Sequence, residues 1–164
     1  MLAPDARFKK ITQIKFEFLK EYKIKGLIID VDNTLMDLDQ KPLEGIKKWV
    51  DDLKEKDIKF CIASNSIKKE KLERVSKELE IPYVYISLKP LGRGLKKARK
   101  ILKLESKHIG EIGDQLFTDV WGAKRLKMFS ILTDPIGPEK HIISEFKRKI
   151  ERKFLKRMED KYVH

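Results

Sequence analysis

The sequence predicts an α/β fold built on a doubly wound parallel sheet of about five strands. Short apolar runs such as "KGLIID" and "KFCIAS" alternate with stretches of helical periodicity. Apolar residues at consecutive positions are typical of strands that are covered on both faces. The alternation of strands with helices places helices on both sides of the sheet, so the predicted architecture is Rossmann-like.

The predicted elements follow one another in a regular order. Strands are predicted near residues 25–31, 58–63, 83–87, 109–112 and 128–132, and helices near 43–56, 67–80, 91–103 and 117–127. In the second helix, Leu72, Val75 and Leu79 recur at helical spacing, which predicts one buried stripe. Trp49 and Trp121 are predicted to pack between helix and sheet, and Cys61 to be a small core residue.

Two amphipathic segments flank a predicted core of about 24–135. Residues 5–22 and 139–160 carry apolar side chains at helical spacing among basic residues, so each is predicted to be a terminal helix. No Gly/Ser-rich linker separates either segment from the core. Residues 1–164 are therefore predicted to form a single domain.

The chain is basic, with 38 Lys and Arg against 26 Asp and Glu and a net charge of +12. Such a surface suits a polyanionic partner, although a surface rich in Lys and Glu also simply favours solubility. A single cysteine excludes an intrachain disulfide, and no apolar stretch is long enough for a membrane span or a signal peptide. The expected location is cytoplasmic.

Polar side chains follow four of the predicted strands. They are Asp30 and Asp32, Ser64 and Asn65, Lys89, and Asp114 with Asp119. Ligands of an open parallel sheet bind beyond the carboxyl ends of its strands, so these residues are predicted to converge on one crevice. Asp30 and Asp32 are two residues apart on an extended chain and should point the same way.

Several carboxylates in one crevice repel one another unless a cation offsets their charge. Oxygen ligands favour a hard divalent cation, Mg²⁺, and the scattered His108, His141 and His164 form no zinc pattern. Together with the Lys89 ammonium and the Ser64 hydroxyl, the set indicates a site that holds a phosphoryl group.

The motifs "DVDNTL", "IASN", "KP" and "GDQLFTD" resemble the four ordered motifs of the haloacid dehalogenase (HAD) superfamily, in its phosphatase branch. The resemblance covers nearly the whole chain. "DNTL", "TDVWGAKR", "ILTDPI" and "FKRKIER" are similar to subfamily IIIA, the YqeG-type proteins, a group that includes phosphatidylglycerophosphate phosphatases. The resemblance implies a HAD-like phosphatase.

The resemblance also implies a role for each motif residue. Asp30 would be the nucleophile that becomes an aspartyl-phosphate, and Asp32 the general acid and then the general base. Ser64, Asn65 and Lys89 would bind the phosphoryl oxygens. Mg²⁺ would be held by the Asp30 carboxylate, the Asp32 backbone carbonyl and Asp114. Thr34 would support the loop, and Asp119 would order the waters of Mg²⁺ and the Lys89 side chain.

HAD enzymes usually carry a cap domain, and none fits here. Only 29 residues separate Thr34 from Ser64 and 24 separate Ser64 from Lys89, so each gap holds one helix and one strand. An uncovered site suits a phosphate on a large molecule, and the expected substrate is phosphatidylglycerophosphate. The basic terminal helices would then contact the inner face of an anionic membrane peripherally.

Three alternatives stay open at this point. The substrate could be a soluble sugar or nucleotide phosphate. The chain could be a signalling receiver, although receivers place the phosphorylated aspartate after the third strand, where this chain has Lys89. It could also be an RNA-binding protein with a vestigial pocket, which the charge favours and the intact Asp32, Ser64 and Lys89 disfavour.

Overall fold

The computed structural model of the chain describes residues 3–37, 39–65, 68–85, 92–137, 149–153 and 156. Within them a sheet of six strands forms in the order β1-β6-β5-β2-β3-β4, and all five strand pairings are parallel. The strands are β1 (Ala6–Phe8), β2 (Gly26–Ile29), β3 (Lys59–Ser64), β4 (Tyr83–Tyr85), β5 (Ile109–Gly113) and β6 (Phe129–Thr133). The parallel α/β prediction is confirmed, with one strand more than expected.

The helices lie close to their predicted positions. They are α1 (Phe16–Glu21), α2 (Ile46–Lys54), α3 (Lys69–Leu79), α4 (Arg93–Leu102) and α5 (Trp121–Arg125). The predicted helix at 117–127 consists of a π-helical turn, Leu116–Val120, that continues directly into α5. None of the described helices is long and apolar enough to cross a membrane.

Both faces of the sheet are covered, as the apolar strands predict. Leu27 and Ile29 of β2 contribute to a core with α1, α2 and α3, while Ile28 contributes to a second core with α4 and α5. The predicted stripe of α3 is buried in the first of these cores. The doubly wound arrangement is therefore confirmed.

The amino-terminal segment corrects the expectation of a helix over residues 5–22. Its first part forms β1, whose Ala6 pairs with Ile131 of β6 at the edge of the sheet. The Asp5 carboxylate anchors this strand by accepting hydrogen bonds from the backbone N–H and hydroxyl of Ser130 at 2.8 and 2.7 Å. Only Phe16–Glu21 is α-helical, and its Leu19 is fully buried. The apolar residues of this segment thus pack on the protein's own core.

The carboxy-terminal segment predicted at 139–160 lies largely outside the described residues. Residues 149–153 are helical, and the buried Glu151 carboxylate accepts a hydrogen bond from the Phe117 backbone N–H at 3.3 Å. This contact joins the helix to the π-helical turn. The assignment of 1–164 to one domain stays a prediction, and β1 extends the sheet beyond the expected core of 24–135.

The two tryptophans have different environments. Trp49 is buried against Phe60, and its indole N–H donates to the Ile14 carbonyl at 2.8 Å, so its predicted packing role is confirmed. The prediction for Trp121 is wrong, because this side chain is 45% exposed with the Arg125 guanidinium 5.8 Å from its ring. Cys61 is a core residue as predicted. Burial raises the pKa of its thiol to about 12, which keeps the thiol protonated and unreactive at neutral pH.

Candidate active site

The loop after β2 places Asp30 at the carboxyl edge of the sheet, next to β5. The Asp30 backbone N–H donates to the Ile112 carbonyl at 2.9 Å, which extends the hydrogen-bond ladder between β2 and β5 by one residue. The chain then turns around the Val31 carbonyl, which accepts hydrogen bonds from the N–H groups of Thr34, Leu35 and Met36 at 3.3, 3.0 and 3.3 Å. This turn reverses the chain immediately after the acidic motif.

Asn33 and Thr34 form the tightly packed centre of this turn, and each is only 2% exposed. Asn33 has a φ of 58°, a left-handed conformation that Asn tolerates better than most residues. Its N–H donates to the Met36 carbonyl at 2.7 Å. Within the described part of the chain, the Thr34 hydroxyl has no hydrogen-bond partner, and Thr34 contacts the turn through its backbone N–H.

Three carboxylates from two strand ends form an acidic cluster. Oxygen atoms of Asp30, Asp114 and Asp119 lie within 4.8 Å of one another, and the three residues are 9%, 3% and 2% exposed. Buried like charges at this spacing repel strongly. A set of carboxylate oxygens fits a hard divalent cation, which would offset that repulsion. The cluster can therefore hold a metal ion.

The π-helical turn places the Asp119 side chain in this cluster. The backbone N–H of Gln115 donates to Asp119 Oδ2 at 3.0 Å, which fixes the carboxylate at the start of the turn. Asp119 also packs directly on Gly113, the last residue of β5. A Cβ atom at position 113 would lie 2.1 Å from the Asp119 Cγ, so only glycine allows this approach.

The Asp32 side chain lies outside the three-carboxylate cluster. Its Oδ1 forms an ion pair with Nζ of Lys71 in the first turn of α3. The Lys71 side chain is 8% exposed and the Asp32 side chain 35% exposed. The resemblance assigned only the backbone carbonyl of Asp32 to the metal, and the position of its side chain agrees with a separate role. Nothing in the local sequence distinguishes Lys71 from its neighbouring lysines.

Residues that follow three of the predicted strands line one polar pocket of about 190 Å³. It is lined by Asp30, Asp32, Ser64, Asn65, Gln115, Thr118 and Asp119. The predicted Lys89 lies outside the described residues. Gln115 and Thr118 were not predicted, although both belong to the motif "GDQLFTD", and the Thr118 hydroxyl donates to the Gln115 side-chain oxygen at 3.2 Å.

A short hairpin takes the place of a cap after the first motif. The Leu43 N–H donates to the Leu35 carbonyl at 2.9 Å, and Met36 forms an antiparallel bridge with Pro42. From there the chain enters α2 directly. In the described residues between β2 and β4, no further domain is inserted, which agrees with the prediction that the chain lacks a cap.

A larger cavity of about 530 Å³ lies at the opposite edge of the sheet, near the amino ends of β2 and β3. Its apolar lining includes Phe16, Ile24, Ile58 and Leu104, and lysines line much of the rest. Asp57 is its only acidic lining residue among those described. Since it has no carboxylate cluster, the candidate chemistry belongs to the smaller polar pocket.

A family model described as mitochondrial PGP phosphatase matches residues 1–137. The chain belongs to this phosphatase family. It is also 35% identical over 159 residues to "Probable phosphatase YqeG" of Bacillus subtilis (strain 168), in an alignment that covers 96% of this chain and 92% of that protein. As a member of this family, the chain is a phosphoric monoester hydrolase.

Solved structures with a similar fold include an uncharacterized protein from Listeria monocytogenes serotype 4b, with a TM-score of 0.58 at 16% identity over 72% of this chain and 85% of that one. The cobalt-bound deoxy-D-mannose-octulosonate 8-phosphate phosphatase from Haemophilus influenzae gives a TM-score of 0.52 at 19% identity over 70% of each chain. A related phosphatase from Yersinia pestis gives 0.52 at 17% identity over 74% and 79%. These likenesses show the HAD-like fold.

The close contact between Gly113 and Asp119 can be tested by adding a side chain at position 113. We expect Gly113→Ala to lower the free energy of unfolding by about 1–3 kcal/mol, because the added methyl overlaps the Asp119 carboxyl group. Phosphatase activity should fall further than stability explains, since Asp119 is displaced. Urea unfolding and initial rates measure the two effects. Gly137→Ala, whose methyl would lie 3.9 Å from the Asp37 Cβ, is the control. Equal losses of stability and activity in the two variants would contradict the close contact of Gly113 with Asp119.

Proposed function

We propose that the chain is a Mg²⁺-dependent phosphatase that hydrolyses a phosphomonoester through an aspartyl-phosphate on Asp30. The observation that carries this proposal is the carboxylate cluster of Asp30, Asp114 and Asp119, together with a pocket that Asp30, Asp119 and Asp32 all line. One carboxylate beside a metal site and a second one held apart from it provide a nucleophile and a proton donor.

The proposed metal ligands are the carboxylates of Asp30 and Asp114 and the backbone carbonyl of Asp32, with Asp119 supporting them. The buried, all-oxygen donor set fits Mg²⁺ better than a softer metal. When bound, Mg²⁺ supplies positive charge that lets an anionic phosphate approach a carboxylate nucleophile. Ser64 and Asn65 line the same pocket, and together with Lys89 they are proposed to bind the phosphoryl oxygens.

The proposed reaction has two steps. In the first, an Asp30 carboxylate oxygen bonds to phosphorus while the bond to the leaving oxygen breaks, and protonated Asp32 gives its proton to that oxygen. In the second, a water oxygen bonds to phosphorus and its proton passes to Asp32. The bond between Asp30 and phosphorus then breaks, which releases inorganic phosphate and restores both side chains.

The proposed substrate is phosphatidylglycerophosphate at an anionic membrane surface. Family membership supports this, and the short hairpin leaves the pocket open to a phosphate on a large molecule. Two exposed apolar side chains, Trp121 and Ile150, lie near the site: Trp121 directly follows the turn that carries Asp119, and Ile150 adjoins Glu151, which contacts that turn. Trp suits the membrane interface, and nearby Lys and Arg attract anionic lipid.

Removal of the proposed nucleophile tests the mechanism. We expect Asp30→Asn to abolish turnover, because an amide does not attack phosphorus, while the fold is kept. Acid quenching should trap phosphate on the peptide that contains residue 30 in the wild type and not in the variant. Asp51→Asn, which alters a half-buried aspartate that is paired with Lys47 in α2, is the control. Residual activity of Asp30→Asn near that of wild type would remove Asp30 from this role.

A comparison of substrates tests the proposed lipid specificity. We expect a higher kcat/KM for phosphatidylglycerophosphate in mixed micelles than for a panel of soluble sugar and nucleotide phosphates. Trp121→Ala should lower the rate on micelles and leave the rate on soluble phosphates unchanged, because Trp121 would contact the interface and not the phosphate. Equal or faster hydrolysis of a soluble compound would defeat the lipid proposal and favour the soluble alternative.

A further inference from the structure

Lys71 differs from the many surface lysines of this chain. It is 9% exposed, and among the described residues it is the only lysine or arginine that is buried. It lies in the first turn of α3, next to the buried Leu72. Lysine is seldom buried unless its charge is paired, and a cation at the start of a helix is disfavoured by the helix dipole. Its placement therefore needs a compensating interaction.

The Asp32 carboxylate supplies that interaction. Lys71 Nζ donates to Asp32 Oδ1, and within the described residues Lys71 is the only hydrogen-bond partner of this carboxylate. Asp32 lines the catalytic pocket, whereas Lys71 does not. The ammonium thus contacts one oxygen of the Asp32 carboxylate, while Lys71 is not one of the residues that line the pocket.

We propose that Lys71 is a positioning residue for the general acid. By holding Asp32 Oδ1, it fixes the side-chain torsions of Asp32 and leaves Oδ2 to carry the proton that is given to the leaving oxygen. The inference rests on the proposed function, in which Asp32 is that acid. Proton transfer requires donor and acceptor at hydrogen-bond distance, so a carboxyl group that rotates freely would be a poorer acid.

If Lys71 positions Asp32, its replacement should slow the hydrolysis of alkyl and aryl phosphates to different extents. Loss of a purely structural contact should slow both equally. An alkyl phosphate needs a proton on its leaving oxygen, whereas 4-nitrophenyl phosphate releases a stable phenolate and needs little help. The parameter kcat/KM includes only the steps up to departure of the leaving group, so the later hydrolysis of the aspartyl-phosphate does not affect it. The ratio of kcat/KM for the two substrates therefore reports how well Asp32 donates its proton.

The experiment compares Lys71→Met, Lys71→Arg and Asp32→Asn with wild type on glycerol phosphate and 4-nitrophenyl phosphate. We expect Lys71→Met to lower kcat/KM for the alkyl phosphate by about 10- to 100-fold and to affect the aryl phosphate much less. Asp32→Asn should show the same selectivity more strongly. Lys71→Arg should restore most of the lost activity, because it keeps the charge and the hydrogen bond.

A lysine of α2 that contacts the other end of α3 provides the matched control. Lys54 Nζ donates to the carbonyls of Leu79 and Glu80 at 2.9 and 2.8 Å. These hydrogen bonds stabilise the carboxyl end of α3. Lys54→Met should destabilise α3 without changing the ratio between the two substrates. If Lys71→Met does not fold, Lys71→Gln, whose shorter and uncharged side chain weakens the contact with Asp32, replaces it, and a smaller loss with the same selectivity is expected.

The results separate this inference from the proposed function. An equal loss on both substrates in Lys71→Met, with Asp32→Asn still selective, would overturn the positioning role and leave the mechanism intact. Absence of selectivity in Asp32→Asn would remove Asp32 as the acid and overturn this inference with it. Trapping of phosphate on Asp30 would still show whether the nucleophile is correctly assigned.

Discussion

Mutual repulsion of buried carboxylates is the constraint on which the site depends. Asp30, Asp114 and Asp119 come within 4.8 Å of one another while almost removed from water. Flexible segments would move such charges apart, and here rigid elements hold them. Asp30 is fixed by the ladder between β2 and β5, and Asp119 by its contact with Gly113. A cation bound to the cluster offsets this repulsion. The arrangement of carboxylates that destabilises the protein without a cation therefore favours binding of one.

The order of the strands gives the two aspartates of the first motif different surroundings. β2 lies between β5 and β3, so the loop after it can contact groups from both sides. On the β5 side, Asp30 meets the acidic cluster. On the β3 side, α3 brings Lys71 to Asp32. Two aspartates only two residues apart therefore have different surroundings, and this difference allows one to be proposed as nucleophile and the other as acid.

Sequence patterns identified the interior of this fold better than its edges. The buried strands β2, β3 and β6 consist mainly of apolar residues at consecutive positions, so they are recognisable locally. β1 is a three-residue edge strand that is defined by pairing with residues more than a hundred positions away, while its neighbourhood has helical spacing. Lys71 was missed for a similar reason: in a lysine-rich helix, only the tertiary contact with Asp32 identifies it. Trp121 shows the opposite error, since a large aromatic residue was assumed to be buried.

Calorimetric titration of Mg²⁺ tests the metal cluster most directly. The account predicts that the wild-type chain binds one Mg²⁺ and that Asp114→Asn weakens this binding by about tenfold or more, because one of the three clustered carboxylates loses its charge. Asp52→Asn, which alters an exposed aspartate paired with Lys48, should bind as wild type does. Unchanged Mg²⁺ affinity in Asp114→Asn would show that the cluster is not the metal site and would contradict the account.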